Sequence, residues 1–387
     1  MQNRREFLKR FALLGAVATL PVNSLLAQSA LTPKPMGDGL KTVALASVIK
    51  PKKAPPRTIT IPDVPTANGK AFKVLKGDFH MHTLFSDGRV MPVDRVNEAI
   101  DNGLDVISIT DHVEYHPNIT GGKLKLAENN DDHNVAYNMA KPEADKQKLI
   151  LVRGTEITKS EWHFNATFIK DANAIAAVVD DWRAMLAVAV EQGGFVHWNH
   201  PSWIDTTPDK PPFGLKAGEP MRFFDEIDEV WKKGHVHGVE VFNGTSFYPI
   251  ALDWCHERDL TPVTVSDIHQ SEWNTYGHQN LLRPMTLVLA EDRTEAAVRD
   301  AFFAKRTVGW AANMILGRPE WVEKLFRSSV EMKKSGNNLT LQNLSDIPCL
   351  IGTSELAAKG TLEIADTQKL TVSNWFVGMN KPLEIVI

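Results

Sequence analysis

The chain has 387 residues and a formal net charge of −4 at pH 7, because 47 acidic residues outnumber 43 basic ones. This length suits one large domain with a smaller one. With these nearly balanced charges, the protein as a whole has no positive electrostatic field that would attract nucleic acid. We therefore expect no stable nucleic-acid complex. Two cysteines, Cys255 and Cys349, exclude a dense disulfide framework and leave a single disulfide open.

Residues 1–27 have the pattern of a cleaved export signal. Arg4 and Arg5 precede an apolar stretch that Pro21 interrupts and that ends at the small residue Ala27. This looks like a twin-arginine signal, which implies a periplasmic or secreted protein with no membrane span after cleavage. The alternative is a retained membrane anchor, for which the apolar run is short.

Residues 28–70 are predicted to form a linker. Seven prolines between residues 33 and 65 prevent a continuous helix. Within the linker, residues 57–61 alternate in a way that allows one strand to pair at the end of the following domain.

The next segment opens with two histidines spaced for one ligand site. His80 and His82 follow an apolar run at residues 72–75, and Asp87 comes five residues later. On an extended strand, positions i and i+2 face the same way, so both imidazoles can point at one ion.

Similar ligand residues end the apolar runs that follow, and helical stretches lie between them. We predict helices at residues 92–102, 174–192, 249–258 and 294–305 from apolar residues at helical spacing. Strands that alternate with helices and carry His, Asp or Glu at their carboxyl ends indicate a parallel α/β barrel with its active face at those ends. The residues at the strand ends are Asp111, His112, Glu156, His200, Asp267 and His269, and His163 opens the run that begins at residue 164.

Together these motifs resemble those of the polymerase and histidinol phosphatase (PHP) family of metal-dependent phosphoesterases, over residues 75–310. The resemblance implies a distorted (β/α)7-type barrel at residues 71–318. One departure is Asp87, where some members have histidine. A carboxylate is a harder ligand than an imidazole, so it can change which metal this position holds. The ligands implied are His80, His82, Asp87, His112, Glu156, His163, His200, Asp267 and His269.

The same resemblance implies two to three divalent ions, with manganese, zinc or iron as the candidates. His80, His82, Glu156 and Asp267 would hold the first, and Glu156 would bridge to a second held by His163 and His200. Asp87, His112 and His269 would hold the third. A hydroxide bridging two ions would attack phosphorus. The candidate catalytic residues are His269, as proton donor when the third position is empty, and Asp111, as a carboxylate that orients an imidazole.

The expected activity is hydrolysis of a phosphomonoester or a small phosphodiester, with a small phosphorylated substrate as partner. Lys159 and Arg283 are the candidate phosphate contacts. Trp273 and Tyr276, in the loop after the last motif, are either rim packing or a surface on which a substrate ring stacks. Two alternatives remain: an amidohydrolase-like enzyme acting on a C–N or carboxylic ester bond, and a non-catalytic exported protein that holds metal and binds glycan.

Residues 319–387 are predicted to form a small β-rich domain. Short alternating runs at 339–341, 349–351, 361–364 and 370–372 lie between turn residues, and the segment has no histidine. A unit of this size gains stability by docking on the barrel, so packing is its expected role.

Overall fold

The computed structural model describes residues 43–44, 58–120, 132–159, 162–202 and 221–387. The predicted export signal, nearly all of the predicted linker before residue 58, and residues 121–131, 160–161 and 203–220 lie outside these ranges. Among the described helices, none is long and apolar enough to cross a membrane.

The described elements are numbered in chain order. The strands are β1 (Val43–Ala44), β2 (Val64–Pro65), β3 (Ala71–Asp78), β4 (Val106–Ile109), β5 (Ile150–Ile157), β6 (Phe164–Thr167), β7 (Phe195–Trp198), β8 (Gly238–Asn243), β9 (Ser246–Phe247), β10 (Thr261–Val265), β11 (Met285–Ala290), β12 (Thr307–Ala311), β13 (Met314–Gly317), β14 (Val330–Ser335), β15 (Asn338–Asn343), β16 (Cys349–Ile351), β17 (Ser354–Leu356), β18 (Thr361–Ala365), β19 (Lys369–Gly378) and β20 (Lys381–Val386). The helices are α1 (Pro92–Asp101), α2 (Pro117–Thr120), α3 (Val135–Gln147), α4 (Ala172–Ala176), α5 (Trp182–Glu191), α6 (Asp225–Lys232), α7 (Pro249–Glu257), α8 (Glu272–Thr275), α9 (Glu295–Phe303) and α10 (Pro319–Ser329).

The predicted α/β barrel with a small β-rich part is confirmed. The strands close into a barrel, and parallel pairs join β3 to β4, β4 to β5, β7 to β8 and β8 to β10. Most of these strands are buried on both faces, as expected where helices cover a parallel sheet.

The prediction of a wholly parallel barrel is wrong: β6 runs antiparallel to both β5 and β7, and β11 runs antiparallel to both β3 and β12. Ile157 at the carboxyl end of β5 pairs with Phe164 at the amino end of β6. A histidine that precedes β6 therefore lies at the same barrel end as the residues that close β5. The reversal places His163 beside Glu156.

The helix predicted at residues 174–192 is wrong, because two shorter helices form there. The carboxylate of Asp171 accepts from the N–H of Asn173 and caps α4, and the carboxylate of Asp181 accepts from the N–H of Arg183 and caps α5. Each cap satisfies N–H groups that a continuous helix would use internally, so a new helix starts at each aspartate.

The C-terminal strands share a sheet and a core with the barrel. β19 pairs in parallel with β13, while β14, β15 and β18 form a separate three-stranded sheet. The rings of Phe326 and Trp375 meet at 5.5 Å in a core that also contains barrel residues. Cys255 and Cys349 are buried and unpaired. The short strand near residue 60 forms at Val64–Pro65 instead of 57–61.

Candidate metal centre

The two histidines of the first motif meet at the carboxyl end of the barrel strands. His80 Nε2 lies 3.2 Å from His82 Nε2, and both rings are fully buried. Each Nε2 also lies 3.2 Å from Oδ1 of Asp267 and within 3.4 Å of Oε2 of Glu156. Four ligand atoms from β3, β5 and the end of β10 thus converge on one small volume.

Glu156 is the residue that the largest number of these imidazoles contact. Its Oε2 lies 3.0 Å from His112 Nδ1, and its Oε1 lies 3.3 Å from His163 Nδ1 and 3.7 Å from His200 Nε2. The side chain is 1% exposed. One carboxylate oxygen therefore faces His80 and His82, and the other faces the second histidine pair.

Asp87 lies at the opposite edge of the cluster. Its Oδ1 is 3.0 Å from His269 Nε2, 3.5 Å from His112 Nε2 and 3.8 Å from His82 Nδ1. The ring of His82 stacks between those of His112 and His269, with centroids 4.4 and 4.2 Å away. The structure thus brings all nine predicted ligands together at one barrel end.

The geometry of the donors fits divalent ions. Three overlapping groups have ligand atoms within 4.8 Å of one another: His82, Asp87, His112 and His269; His80, His82 and Glu156; and Glu156, His163 and His200. Four buried ligand atoms have no hydrogen-bond partner among the described residues: Asp87 Oδ1, His112 Nδ1, Glu156 Oε2 and Asp267 Oδ1. Buried polar atoms are normally satisfied, and imidazole with carboxylate is a donor set for zinc, manganese and iron.

The electrostatics of the cluster also suit cations. Burial lowers the pKa of His80, but the carboxylates of Asp267 and Glu156 outweigh it and hold that pKa well above its usual range. Burial raises the pKa of Glu156, but the imidazoles of His112 and His80 hold it well below its usual range. Without ions, protons on the imidazoles balance the carboxylates; a divalent cation would take the place of those protons.

The sequence predicted that the carboxylate of Asp111 orients an imidazole. Among the described residues, it does so through another side chain and not by a direct bond. Its carboxylate accepts from the backbone N–H of Thr83 at 2.7 Å and from the hydroxyl of Ser86 at 2.5 Å. Ser86 Oγ in turn lies 3.3 Å from His82 Nδ1. Asp111 therefore orients His82 through Ser86. A Cβ at Gly88 would lie 2.6 Å from the carbonyl of His82, so this loop packs too tightly for a side chain there.

Two buried residues that support the ligands were missed from the sequence. Asn199 donates to Glu156 Oε1 at 2.9 Å, and Glu240 lies 2.7 Å from His80 Nδ1. Glu240 is a carboxylate inside the apolar run Val239–Phe242, and such a burial requires partners. A carboxylate within an apolar run was therefore the signal available in the sequence.

The two predicted phosphate contacts, Lys159 and Arg283, each lie beside an aspartate. Arg283 is fully buried and its guanidinium binds the buried carboxylate of Asp78 at 2.7 Å, so it has no access to substrate. Lys159 Nζ lies 3.6 Å from Asp180. The expectation for Arg283 is therefore wrong: its charge serves a buried ion pair behind the site.

The exposed side of the cluster is formed by the later ligands. The side chains of Asp87, Asp267 and His269 are 18–21% exposed, whereas those of His80 and His82 are 0% exposed. Tyr115 is exposed, and its ring centroid lies 5.7 Å from that of His112. Of the two aromatic residues predicted at the rim, Trp273 is exposed and Tyr276 is buried.

Comparisons with known proteins agree with this site. No protein-family profile and no curated protein matches the chain. A two-domain protein from Bacteroides vulgatus, containing a predicted PHP-like metal-dependent phosphoesterase, matches with 29% identity and a TM-score of 0.73, over 85% of this chain and 98% of that one. The resemblance to the PHP phosphoesterases is thereby confirmed.

Two further solved structures match more weakly. A candidate metal-dependent phosphoesterase from Bifidobacterium adolescentis has 16% identity and a TM-score of 0.38, over 59% of this chain and 96% of that one. An amidohydrolase from Chromobacterium violaceum has 13% identity and a TM-score of 0.37, over 52% of this chain and 90% of that one.

Proposed function

We propose that this chain, a metal-dependent hydrolase with a PHP-like barrel, hydrolyses a phosphomonoester or a small phosphodiester. The carrying observation is that Glu156 belongs to two of the three ligand groups, which would hold two ions side by side. When bound, paired divalent ions activate water as a nucleophile and neutralise charge that develops on a phosphoryl group.

The buried and the exposed residues of the site have different proposed roles. His80, His82 and Glu156 are sealed from solvent, so they would hold ions in a dry environment where electrostatic interactions are strong. Asp87 and His269 lie on the exposed side, where substrate enters. His269 Nδ1 donates to the carbonyl of Asp267 at 2.9 Å, so its Nε2 points toward Asp87 and can pass a proton to a leaving oxygen when no ion occupies that position.

Arg89 is the cation best placed to bind an anionic substrate. Its backbone N–H donates to the carbonyl of His269 at 2.7 Å, and its side chain is exposed two residues after Asp87. A guanidinium beside the entrance can bind two phosphoryl oxygens at once.

The experiment is a substrate panel assayed with manganese, zinc and iron. Phosphomonoesters, phosphodiesters, amides and carboxylic esters are compared by kcat/KM, and the phosphoesters are expected to dominate. Arg89→Met should raise KM for phosphomonoesters, while Arg327→Met, which removes a cation on the remote helix α10, should change nothing. Preferential amide or carboxylic ester hydrolysis would refute the phosphoester assignment, and no turnover at all would favour the non-catalytic alternative.

We also propose manganese, zinc or iron as the ions, at two to three per chain, and export by the twin-arginine route. The metal proposal is supported by the three ligand groups. The export proposal is supported by Arg4 and Arg5 ahead of the apolar stretch, which lies outside the described residues.

A further inference from the structure

Glu240 is a fully buried carboxylate at the centre of strand β8. Its Oε1 lies 2.7 Å from His80 Nδ1. Its Oε2 accepts from the backbone N–H of His200 at 2.5 Å and from Nδ2 of Asn243 at 2.8 Å. A carboxylate buried among valine and phenylalanine is costly unless it is paired in this way.

The partners of Glu240 reach ligand residues on three different segments. His80 follows β3, and His200 follows β7. Asn243 Nδ2, already bonded to Glu240, lies 3.3 Å from Asp267 Oδ2, after β10. One side chain thus reaches two ligands directly and a third through one amide.

Two of these ligands have an unfavourable backbone. His200 has a φ of +24° and Asp267 a φ of +49°, in the left-handed region that side chains with a Cβ rarely adopt. Such conformations are energetically costly and persist only where surrounding contacts hold them. The bond from the N–H of His200 to Glu240 is one contact of that kind.

We propose that Glu240 is the positioning residue of the metal centre. Because an ionised carboxylate only accepts hydrogen bonds, Glu240 keeps a proton on Nδ1 of His80, so Nε2 is the nitrogen that would present its lone pair to an ion. Glu240 also fixes the backbone of His200 and, through Asn243, the carboxylate of Asp267. It contacts neither the ions nor the substrate.

The test separates positioning from a general role in folding. Glu240→Ala removes all three bonds, while Glu240→Gln keeps one carbonyl acceptor and so restores part of the network. Asp105→Asn is the matched control, because Asp105 is also buried and paired, with Lys76 at 2.7 Å, but precedes β4 at the opposite barrel end. Each protein is stripped of metal and titrated with zinc against a chromophoric chelator, and its unfolding is measured in parallel.

We expect zinc affinity to fall about 10- to 100-fold in Glu240→Ala, to fall less in Glu240→Gln, and to stay at the wild-type level in Asp105→Asn. In metal-free protein labelled with ¹⁵N-histidine, the signal of the His80 Nδ1 proton, hydrogen-bonded to Glu240 in wild type, should be lost in Glu240→Ala, while that of His269 Nδ1, bonded to the carbonyl of Asp267, should remain. If Glu240→Ala does not fold, the same two measurements on Glu240→Gln decide. Wild-type affinity and an unchanged Nδ1 signal in the folded variant would overturn the proposal.

This inference rests on the metal-dependent function proposed above, and the wild-type titration keeps the two apart. If wild type binds no zinc, manganese or iron, both fail. If wild type binds ions and Glu240→Ala binds them equally well, only the positioning role fails. Loss of affinity in Asp105→Asn as large as that in Glu240→Ala would likewise assign Glu240 to folding alone.

Discussion

Glu156 and Asp87 are both candidate carboxylate ligands, but they belong to different numbers of ligand groups. Glu156 belongs to two ligand groups and Asp87 to one. Glu156→Gln should therefore release two of three ions, and Asp87→Asn one. In Glu156→Gln, the amide oxygen can still accept from Asn199. The NH₂ group then faces the other imidazoles, and it has no lone pair with which to bind an ion.

The expected decrease in kcat follows from the number of ions that each variant loses. Losing one preorganised electrostatic contact typically costs about 10²- to 10³-fold in kcat, so the loss of two ions in Glu156→Gln should cost roughly 10³-fold or more. Asp87→Asn should slow turnover less and raise KM, because Asp87 lies on the exposed side. In metal-free protein, Glu156→Gln should also cost about 3–5 kcal/mol of unfolding free energy, since it leaves buried imidazoles without their shared counter-charge.

The assay is elemental analysis of reconstituted protein together with kcat and KM on one phosphoester, for wild type and both variants. Asp105→Asn, a buried carboxylate paired with Lys76 at the opposite barrel end, controls for general damage to the core. Equal metal loss in the two ligand variants would show that the division into three positions is wrong. Full activity in Glu156→Gln would falsify the central role of this carboxylate.

Three further predictions follow from charge placement. Burial lowers the pKa of His112, but nearby carboxylates raise it to about 10 from its usual 6.5. In metal-free protein, the stability that His112 contributes should thus be complete below pH 6.5 and lost as the pH rises through 10. Bound ions should flatten this decline, which unfolding curves recorded with and without chelator would measure. Arg283→Met should cost about 3–5 kcal/mol in denaturant unfolding by leaving Asp78 unpaired; an unchanged midpoint would contradict this. Replacing Arg4 and Arg5 by Lys should leave unprocessed protein in the cytosol, and unchanged fractionation would exclude twin-arginine export.

The strand-end arrangement could be predicted because it depends on local pattern. Apolar runs that end in His, Asp or Glu mark the carboxyl ends of barrel strands, and those ends meet at one face. The direction of β6 could not be predicted in the same way. Its four residues are too few to encode orientation, and the reversal depends on its pairing with both β5 and β7.

Charges within apolar runs were harder to interpret, because their partners are distant in sequence. Glu240 meets a histidine 160 positions away, and Arg283 meets an aspartate 205 positions away. Arg283 was expected to bind substrate because it follows the last ligand motif, but in the structure it is buried behind the site. A charged side chain in a strand interior implies a partner without indicating whether that partner is a ligand, a substrate or another buried charge.

The gradient of exposure across the cluster has a chemical consequence. His80, His82 and Glu156 are closed to solvent, while Asp87 and His269 remain open. An ion held by His80, His82 and Glu156 would meet solvent only on the side of Asp267, so we expect it to exchange more slowly than an ion at Asp87. An ion at Asp87 meets solvent and substrate directly, and the carboxylate there favours a harder cation than a histidine would. Exchange of ions should therefore begin at the Asp87 position, and partial chelation should remove that ion first.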